Sequence, residues 1–193
     1  MKQFYIGTTR FTNKTFYENK RWRENHNWTG CIYGTPIPIA NTPHYSKIEK
    51  DDKIFVLEMN NDTNKIEGIG YILNHIRHDF KARIYSDCNY NRYIYRSKHR
   101  LDRKQIKNAS IIEFFEKVLF KGKGHLKRGQ GITLIPITWN SVYNSKRGLF
   151  LPKRMFKQCV LKELKNGKSH SYIVKKYRKL QKDILSFLDN CIK

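Results

Sequence analysis

Alternating hydrophobic and polar positions predict a β-rich body in the first two-thirds of the chain. Residues 54–59 form an apolar run with β-branched and aromatic side chains, which is typical of a buried strand. The polar cluster 60–64 predicts a turn, and residues 65–73 return as a second strand, so the segment is predicted to be a β-hairpin. Gly68 and Gly70 in the second strand indicate a bulge or tight curvature, as in a small barrel.

Weaker patterns predict the other elements. Prolines and glycines in residues 30–43 exclude a helix there. Ser110 is the expected N-cap of the helix predicted at residues 108–120. Strands are expected at residues 4–6, 82–85, 92–96 and 132–135, and helices within 10–29 and at 108–120, 155–165 and 171–189. Together they predict an α+β fold with two domains, a β-rich domain with flanking helices over residues 1–150 and a basic helical appendage over residues 151–193.

Composition narrows the class of protein. At 193 residues, with 39% hydrophobic and 13% aromatic side chains, the chain can form a core. No apolar run reaches the roughly 18 residues of a membrane span, and the first residues lack the apolar stretch of a secretory signal. The four cysteines are far apart without a CxxC pair, which favours a reducing intracellular compartment (cytoplasm, nucleus or virion interior) over a zinc site or a disulfide scaffold.

The positive charge is concentrated in one part of the chain. The formal net charge is +23, but residues 1–75 hold 10 Lys and Arg against 8 Asp and Glu, whereas residues 76–193 hold 29 against 8. Codon bias accounts for 26 Lys over 13 Arg, but not for this asymmetry. A polyanion partner explains it better, with nucleic acid, either RNA or DNA, as the first expectation and an anionic membrane surface as the second.

Two segments carry a resemblance to a known group of folds. Residues 52–57, the turn, and residues 66–72 with their two glycines look like the central hairpin of PUA-like domains, the EVE, YTH and ASCH group. Residues 80–83 are similar to a later strand of YTH domains. The resemblance covers about residues 4–100, with 132–140 as a further segment. In composition and in the basic glycine-containing loop, the chain also resembles proteins of large DNA viruses.

The resemblance implies a small curved β-barrel flanked by helices that binds nucleic acid, often through a modified base in an aromatic cage. A further segment, Trp28-Thr29 before the loop with glycines and prolines, resembles the segment where YTH and EVE proteins place a tryptophan at the base pocket. Carried over, Trp28 is a wall of the base pocket, with Thr29 and Tyr33 beside it. The second tryptophan of the YTH pattern is missing, because Arg83 stands in the matching strand. Trp139 is the remaining candidate for the pocket. The resemblance therefore supports contact with the nucleic-acid backbone more than reading of a modified base.

Three segments supply candidate phosphate and base contacts. In residues 92–103, tyrosines alternate with arginines, as suits single strands whose bases stack on rings while guanidinium groups hold phosphates. The glycine-rich loop 121–131 lets backbone N–H groups approach phosphate, although it lacks the Lys-Ser/Thr of a P-loop. The helix at 171–189 has a basic face. The predicted contacts are Arg92, Tyr93, Tyr95, Arg96, Lys98, Arg100, Lys121, Lys123, Lys127, Arg128, Lys175, Lys176 and Lys179.

Each segment also has a purely structural alternative. The tyrosines of the strand can point into the core, the loop can be a solvated connection, and the basic helical face can simply be hydrated. These alternatives stay open at the level of sequence.

Catalytic and metal-binding patterns are weak. His75 and His78 do not form a zinc pair, nothing orients Cys159 and His170 as a catalytic pair, and the acidic residues never cluster as in a metal-dependent nuclease. We therefore expect a nucleic-acid-binding protein without enzymatic activity, cofactor or metal. Two alternative functions stay open. The first is a structural or packaging component of a virion or nucleoprotein particle, which would also contact acidic protein surfaces, and the second is a divergent nuclease.

Overall fold

The computed structural model describes most of the first 135 residues and scattered positions beyond them. The described residues are 4–41, 48–106, 109–121, 125–127, 129–135, 165–169, 171, 172, 175, 179 and 186. Contacts divide the chain into two compact units, residues 1–135 and 136–191. The predicted boundary at residue 150 lies outside the described residues.

Seven strands and two α-helices lie within the described residues. The strands are β1 (Phe4–Thr8), β2 (Cys31–Thr35), β3 (Lys53–Asn60), β4 (Lys65–Leu73), β5 (Tyr93–Ser97), β6 (Arg100–Asp102) and β7 (Thr133–Leu134), and the helices are α1 (Asn13–Asn25) and α2 (Ala109–Phe120). The mixed α+β composition is as expected from the sequence. Ser110 lies inside α2, which begins one residue earlier, and so is not its N-cap.

The β3–β4 hairpin is the centre of a five-stranded sheet, as the hydrophobic pattern predicted. The strand order is β6-β4-β3-β1-β7, with β1 parallel to β3 and the other pairs antiparallel. β2 and β5 pair with each other in a separate antiparallel sheet. The register shifts between the pairs Leu57–Ile69 and Met59–Ile66, where one residue of β3 stands opposite Glu67 and Gly68 of β4. The extra residue therefore lies in β4 and the irregularity includes Gly68, as the sequence predicted.

The expectation of a barrel needs correction. Within the described residues the larger sheet is not closed, because its edge strands β6 and β7 do not pair with each other. Both edge strands are short, with three residues in β6 and two in β7. Strands β2 and β5 pair with each other and do not connect β6 to β7. The architecture of the described residues is therefore an open mixed sheet with a second small sheet and two helices.

The strand predicted at residues 82–85 is also absent. The amide N–H groups of Ile84 and Tyr85 both donate to the side-chain oxygen of Asn91, at 2.9 and 3.0 Å. The Asn91 amide nitrogen in turn donates to the Tyr85 carbonyl at 2.8 Å. One asparagine side chain thus satisfies backbone groups that a neighbouring strand would otherwise have paired. Ile84 and Tyr85 are buried, which explains why the segment looked like a strand.

Helix α1 is fixed at its start and along its buried face. Thr12 is the N-cap, and its side chain accepts a hydrogen bond from the Thr15 amide while the Thr15 hydroxyl accepts from the Thr12 amide. On the buried face, the Asn19 side chain donates to the Ile32 carbonyl of β2 at 2.7 Å and to the Tyr85 hydroxyl at 3.1 Å. The helix is therefore held against both β2 and the loop after β4.

A buried ion pair within the larger sheet is linked to the smaller sheet by a hydrogen bond from Tyr33. Arg100 of β6 donates to both carboxylate oxygens of Glu58 in β3, at 2.9 and 2.7 Å, and the two side chains are 4% and 2% exposed. The Tyr33 hydroxyl of β2 donates to the same carboxylate at 2.8 Å. Glycine is required beside this group, because a Cβ at Gly70 would lie 2.1 Å from the Tyr33 hydroxyl and one at Gly68 would lie 2.7 Å from Arg100 Nη2.

We expect Glu58→Gln to lower the free energy of unfolding by about 3–5 kcal/mol, because it leaves the Arg100 charge buried without its partner. Urea unfolding measures this loss. The matched control is Asp79→Asn in the exposed Arg77–Asp79 pair, which should leave the unfolding midpoint nearly unchanged. Equal effects of the two substitutions would contradict the stabilising role of the buried pair.

Candidate functional site

The base pocket expected around Trp28 is occupied by the protein's own side chains. The Arg96 guanidinium carbon lies 3.6 Å from the centroid of the Trp28 ring and 4.6 Å from that of Phe80. Trp28 Nε1 donates to the Cys31 carbonyl at 3.2 Å. Thr29 is exposed, whereas Tyr33 is buried, with its hydroxyl bonded to Glu58. Trp28 therefore stacks on an arginine, which corrects its expected role as an open wall of a base cage.

Two of the predicted nucleic-acid contacts lie in the core, which corrects their assignment. Tyr95 is fully buried and its hydroxyl accepts from the Ile39 amide at 3.0 Å, so it offers no ring surface to a base. The Arg100 side chain is 4% exposed and bound to Glu58. Burial lowers and Glu58 raises the pKa of Arg100, with a net upward shift. Arg100 is consequently part of the fold and not a phosphate ligand.

The other predicted contacts are scattered. Arg92 is exposed, 5.9 Å from the ring centroid of half-buried Tyr93. Lys127 is half-buried, with its ammonium 6.0 Å from the Phe120 ring centroid. Lys98, Lys121, Lys175 and Lys179 are exposed. Lys123, Arg128, Trp139 and Lys176 lie outside the described residues.

A cavity of about 160 Å³ lies in the first unit, away from Trp28. Four segments line it: the β1–α1 connection with the first turns of α1, strand β2, the loop between β4 and β5, and the chain just before β7. Its lining residues are Thr9, Arg10, Phe11, Thr12, Lys14, Thr15, Glu18, Tyr33, Gly34, Tyr85, Ser86, Asp87, Tyr90, Gly131 and Ile132. We call this space the central cavity.

Arg10 carries an uncompensated positive charge at the central cavity. Its Nε donates to the Leu126 carbonyl at 2.8 Å, and its buried Nη1 has no hydrogen-bond partner in the part of the chain that the structure describes. Among the described residues no carboxylate forms an ion pair with it. Burial lowers the pKa of Arg10 to about 10, with nearby Tyr90 acting in the opposite direction. Gly129 packs closely beside the guanidinium, since a Cβ there would lie 3.2 Å from Arg10 Cζ.

Glu18 supplies a carboxylate at the same cavity. One of its oxygens accepts from the Ser86 amide at 3.3 Å, and the other, Oε2, is buried without a partner. The nearby hydroxyl of Thr9 is also buried and unpartnered. Tyr85 lies beside them, and burial raises its pKa while the hydrogen bond from Asn19 lowers it. The cavity therefore combines ring surface with an acceptor and a cation that other side chains do not satisfy.

An open groove of about 640 Å³ adjoins the central cavity and shares Glu18, Tyr85 and Ser86 with it. Its cations are Arg21, Lys81 and Arg83, all exposed and without an ion pair to any described residue. We call this space the basic groove.

Aromatic rings line the basic groove beside these cations. Exposed His26 stacks on Trp22 with ring centroids 4.0 Å apart and an angle of 13° between the rings. Half-buried Phe80 meets Trp22 edge-on at 6.1 Å. The groove thus offers positive charge and ring surface together.

Sequence reasoning missed most of these residues. Arg10 and Glu18 lie in the nearly neutral first 75 residues, and Arg21 lies on a helix without a motif. The only available signal was position, since Arg10 lies four residues after the end of the strand predicted at residues 4–6. Lys81 and Arg83 fall within the stretch that resembles a YTH strand, but they lie in a loop whose residues line the groove.

The described residues show neither a metal-binding cluster nor a membrane-spanning helix. The described residues contain no group of three or more His, Cys, Asp or Glu that could hold a metal ion. Their helices include none with the length and apolarity to cross a membrane. Cys31 is buried, with its pKa raised to about 12 by burial, and Cys88 is exposed; both are free thiols.

No family model, curated protein or solved structure matches the chain. The central cavity and the basic groove are the candidate sites within the described residues.

We expect Arg10→Met to leave the free energy of unfolding unchanged or to raise it by up to about 2 kcal/mol, because it removes an unpaired buried charge at the cost of one hydrogen bond. A residue retained for binding has this signature, since its removal does not weaken the fold. Thermal and urea unfolding of the variant measure it. A loss of more than about 2 kcal/mol would show that Arg10 serves the fold instead.

Proposed function

We propose that the protein binds nucleic acid and holds an unpaired strand in the basic groove. The observation that carries this proposal is the combination of Arg21, Lys81 and Arg83 with ring surface from His26 and Phe80 in one open groove. Cations that follow a phosphate backbone and rings on which bases stack are the two recurring parts of single-strand binding sites.

The lack of intramolecular partners supports phosphate binding by these cations. None of the three forms an ion pair with a described residue, so a phosphate does not have to displace a carboxylate. Glu18 is the one acidic residue lining the groove, and it lies where the groove joins the central cavity. A strand would therefore meet a positive surface along the groove and a carboxylate only at that junction.

The net charge supports the same proposal at longer range. The formal charge of +23 attracts a polyanion before contact, and exposed Lys165, Lys168, Lys175 and Lys179 of the second unit contribute to it. Because such attraction depends on released counterions, binding should weaken steeply as salt is added.

We also propose a PUA-like affiliation for the first unit. The β3–β4 hairpin, whose residues carry the resemblance, supports it. A PUA-like domain could also bind a modified base. We place that base in the central cavity and not at Trp28, because the Trp28 ring is stacked on Arg96.

The groove assignment is tested with the triple variant Arg21→Gln, Lys81→Gln, Arg83→Gln. Affinity for a single strand of about 12 nucleotides, as RNA and as DNA, is measured by fluorescence anisotropy at about 50 and about 200 mM salt. We expect the variant to bind at least about tenfold more weakly at the lower salt. The slope of log K against log salt should become shallower by about 2, since three phosphate contacts are lost at about 0.7 each.

The matched control removes the same charge elsewhere. Lys65, Lys104 and Lys117 are exposed and line neither the groove nor the cavity, so replacing all three with glutamine should cost less than about threefold in affinity. Equal losses in both triple variants would contradict the groove assignment. If neither RNA nor DNA binds the wild-type chain at low salt, the proposed function itself is refuted.

A further inference from the structure

Unsatisfied polar atoms gather at the central cavity. Among the described residues, five buried side-chain nitrogen or oxygen atoms have no hydrogen-bond partner. Three of the five, Thr9 Oγ1, Arg10 Nη1 and Glu18 Oε2, belong to residues that line this one cavity. Buried polar groups are normally paired, because leaving one unpaired costs about 1–3 kcal/mol. Their concentration at one cavity indicates a ligand that supplies the missing partners.

The three atoms specify the chemistry of that ligand. A guanidinium only donates, so Arg10 requires an acceptor, and a carboxylate only accepts, so Glu18 requires an N–H or O–H donor. Thr9 can do either. The terminal torsion of a glutamate side chain is soft, so its carboxylate can turn toward a ligand at little cost. A phosphate or other simple anion would satisfy Arg10 but would be repelled by Glu18.

The size and lining of the cavity point to a flat ring system. Its volume of about 160 Å³ is close to the roughly 150 Å³ of an engineered cavity that accommodates benzene. Phe11, Tyr85, Tyr90 and Ile132 supply ring and aliphatic surface for the faces of such a ligand. A flat heterocycle with a donor and an acceptor on one edge fits both the space and the polar groups, and nucleobases have this pattern.

We propose that the central cavity takes one unpaired base of the bound strand and reads its hydrogen-bonding edge, with Arg10 donating to a ring nitrogen or carbonyl and Glu18 accepting from an N–H. The inference rests on the proposed function and deepens it. The cavity and the basic groove share Glu18, Tyr85 and Ser86, so a strand along the groove runs next to the cavity. A base read on this edge cannot be paired at the same time, so a single strand or a flipped nucleotide is required.

The experiment separates the base from the backbone. A single strand with one natural base between abasic positions is compared with the same strand fully abasic, for each of the four bases, with the full-length protein. We expect at least one base to tighten binding by about tenfold, in the range that hydrogen-bonded base contacts provide. Replacing every N–H on that edge of the base with N–methyl, which means dimethylation of an exocyclic amine, should abolish the gain, because Glu18 then has no donor to accept from.

Protein variants identify the residues responsible. Glu18→Gln and Arg10→Met should each reduce the ratio of affinities between the strand with the preferred base and the abasic strand toward one. Glu24→Gln is the matched control, since it removes an exposed carboxylate on the same helix, outside the cavity and the groove, and should preserve the ratio. Melting curves of all variants verify that each is folded.

The outcomes distinguish the two proposals. If the abasic strand binds and no base changes its affinity, the base-reading inference is refuted while the groove proposal stands. If neither strand binds, the proposed function fails first. If free nucleosides bind with Arg10 and Glu18 dependence but strands do not, the cavity takes a free heterocycle and the assignment to a base of a strand is overturned.

Discussion

The buried contact among Glu58, Arg100 and Tyr33 is the constraint on which the site depends. It connects β3 and β6 of the larger sheet to β2 of the smaller one through a single carboxylate. Because Tyr33 also lines the central cavity, the same hydrogen bond that joins the sheets fixes one wall of that cavity. This arrangement requires glycine at position 70, because a Cβ there would collide with the Tyr33 hydroxyl. The core chemistry thus determines the geometry of the cavity before any ligand is considered.

The two buried arginines differ in whether a carboxylate neutralises their charge. Arg100 is neutralised by Glu58 and supported by Asp102, and its charge is part of the fold. Arg10 is also largely buried, but its side chain donates only to the Leu126 carbonyl among the described residues, and burial lowers its pKa. An unneutralised cation at a cavity is costly in the unliganded protein, and such groups concentrate at functional sites. The contrast between these arginines is the physical reason for assigning function to one and structure to the other.

The sequence predicted the hairpin, α1, α2 and most strand positions, because these depend on local hydrophobic periodicity. It failed at residues 82–85, where the side chain of Asn91 replaces a neighbouring strand. Hydrophobic periodicity does not reveal a side chain that accepts from backbone groups six and seven residues away. The same limit applies to the site. The alternating residues around Tyr95 resembled a binding face, but the Tyr95 side chain is packed in the core. Arg10 and Glu18 line the cavity only together with segments that are remote in the sequence.

The central cavity is assembled from residues 9–18, 33–34, 85–90 and 131–132, which are brought together only when the first unit is folded. No short fragment contains more than part of its lining. Occupancy and folding are consequently linked by mass action, because any ligand of this cavity binds the native state and not the unfolded chain. Ligand concentration would then set how long the protein survives proteolysis, with the filled protein persisting and the empty protein being removed first.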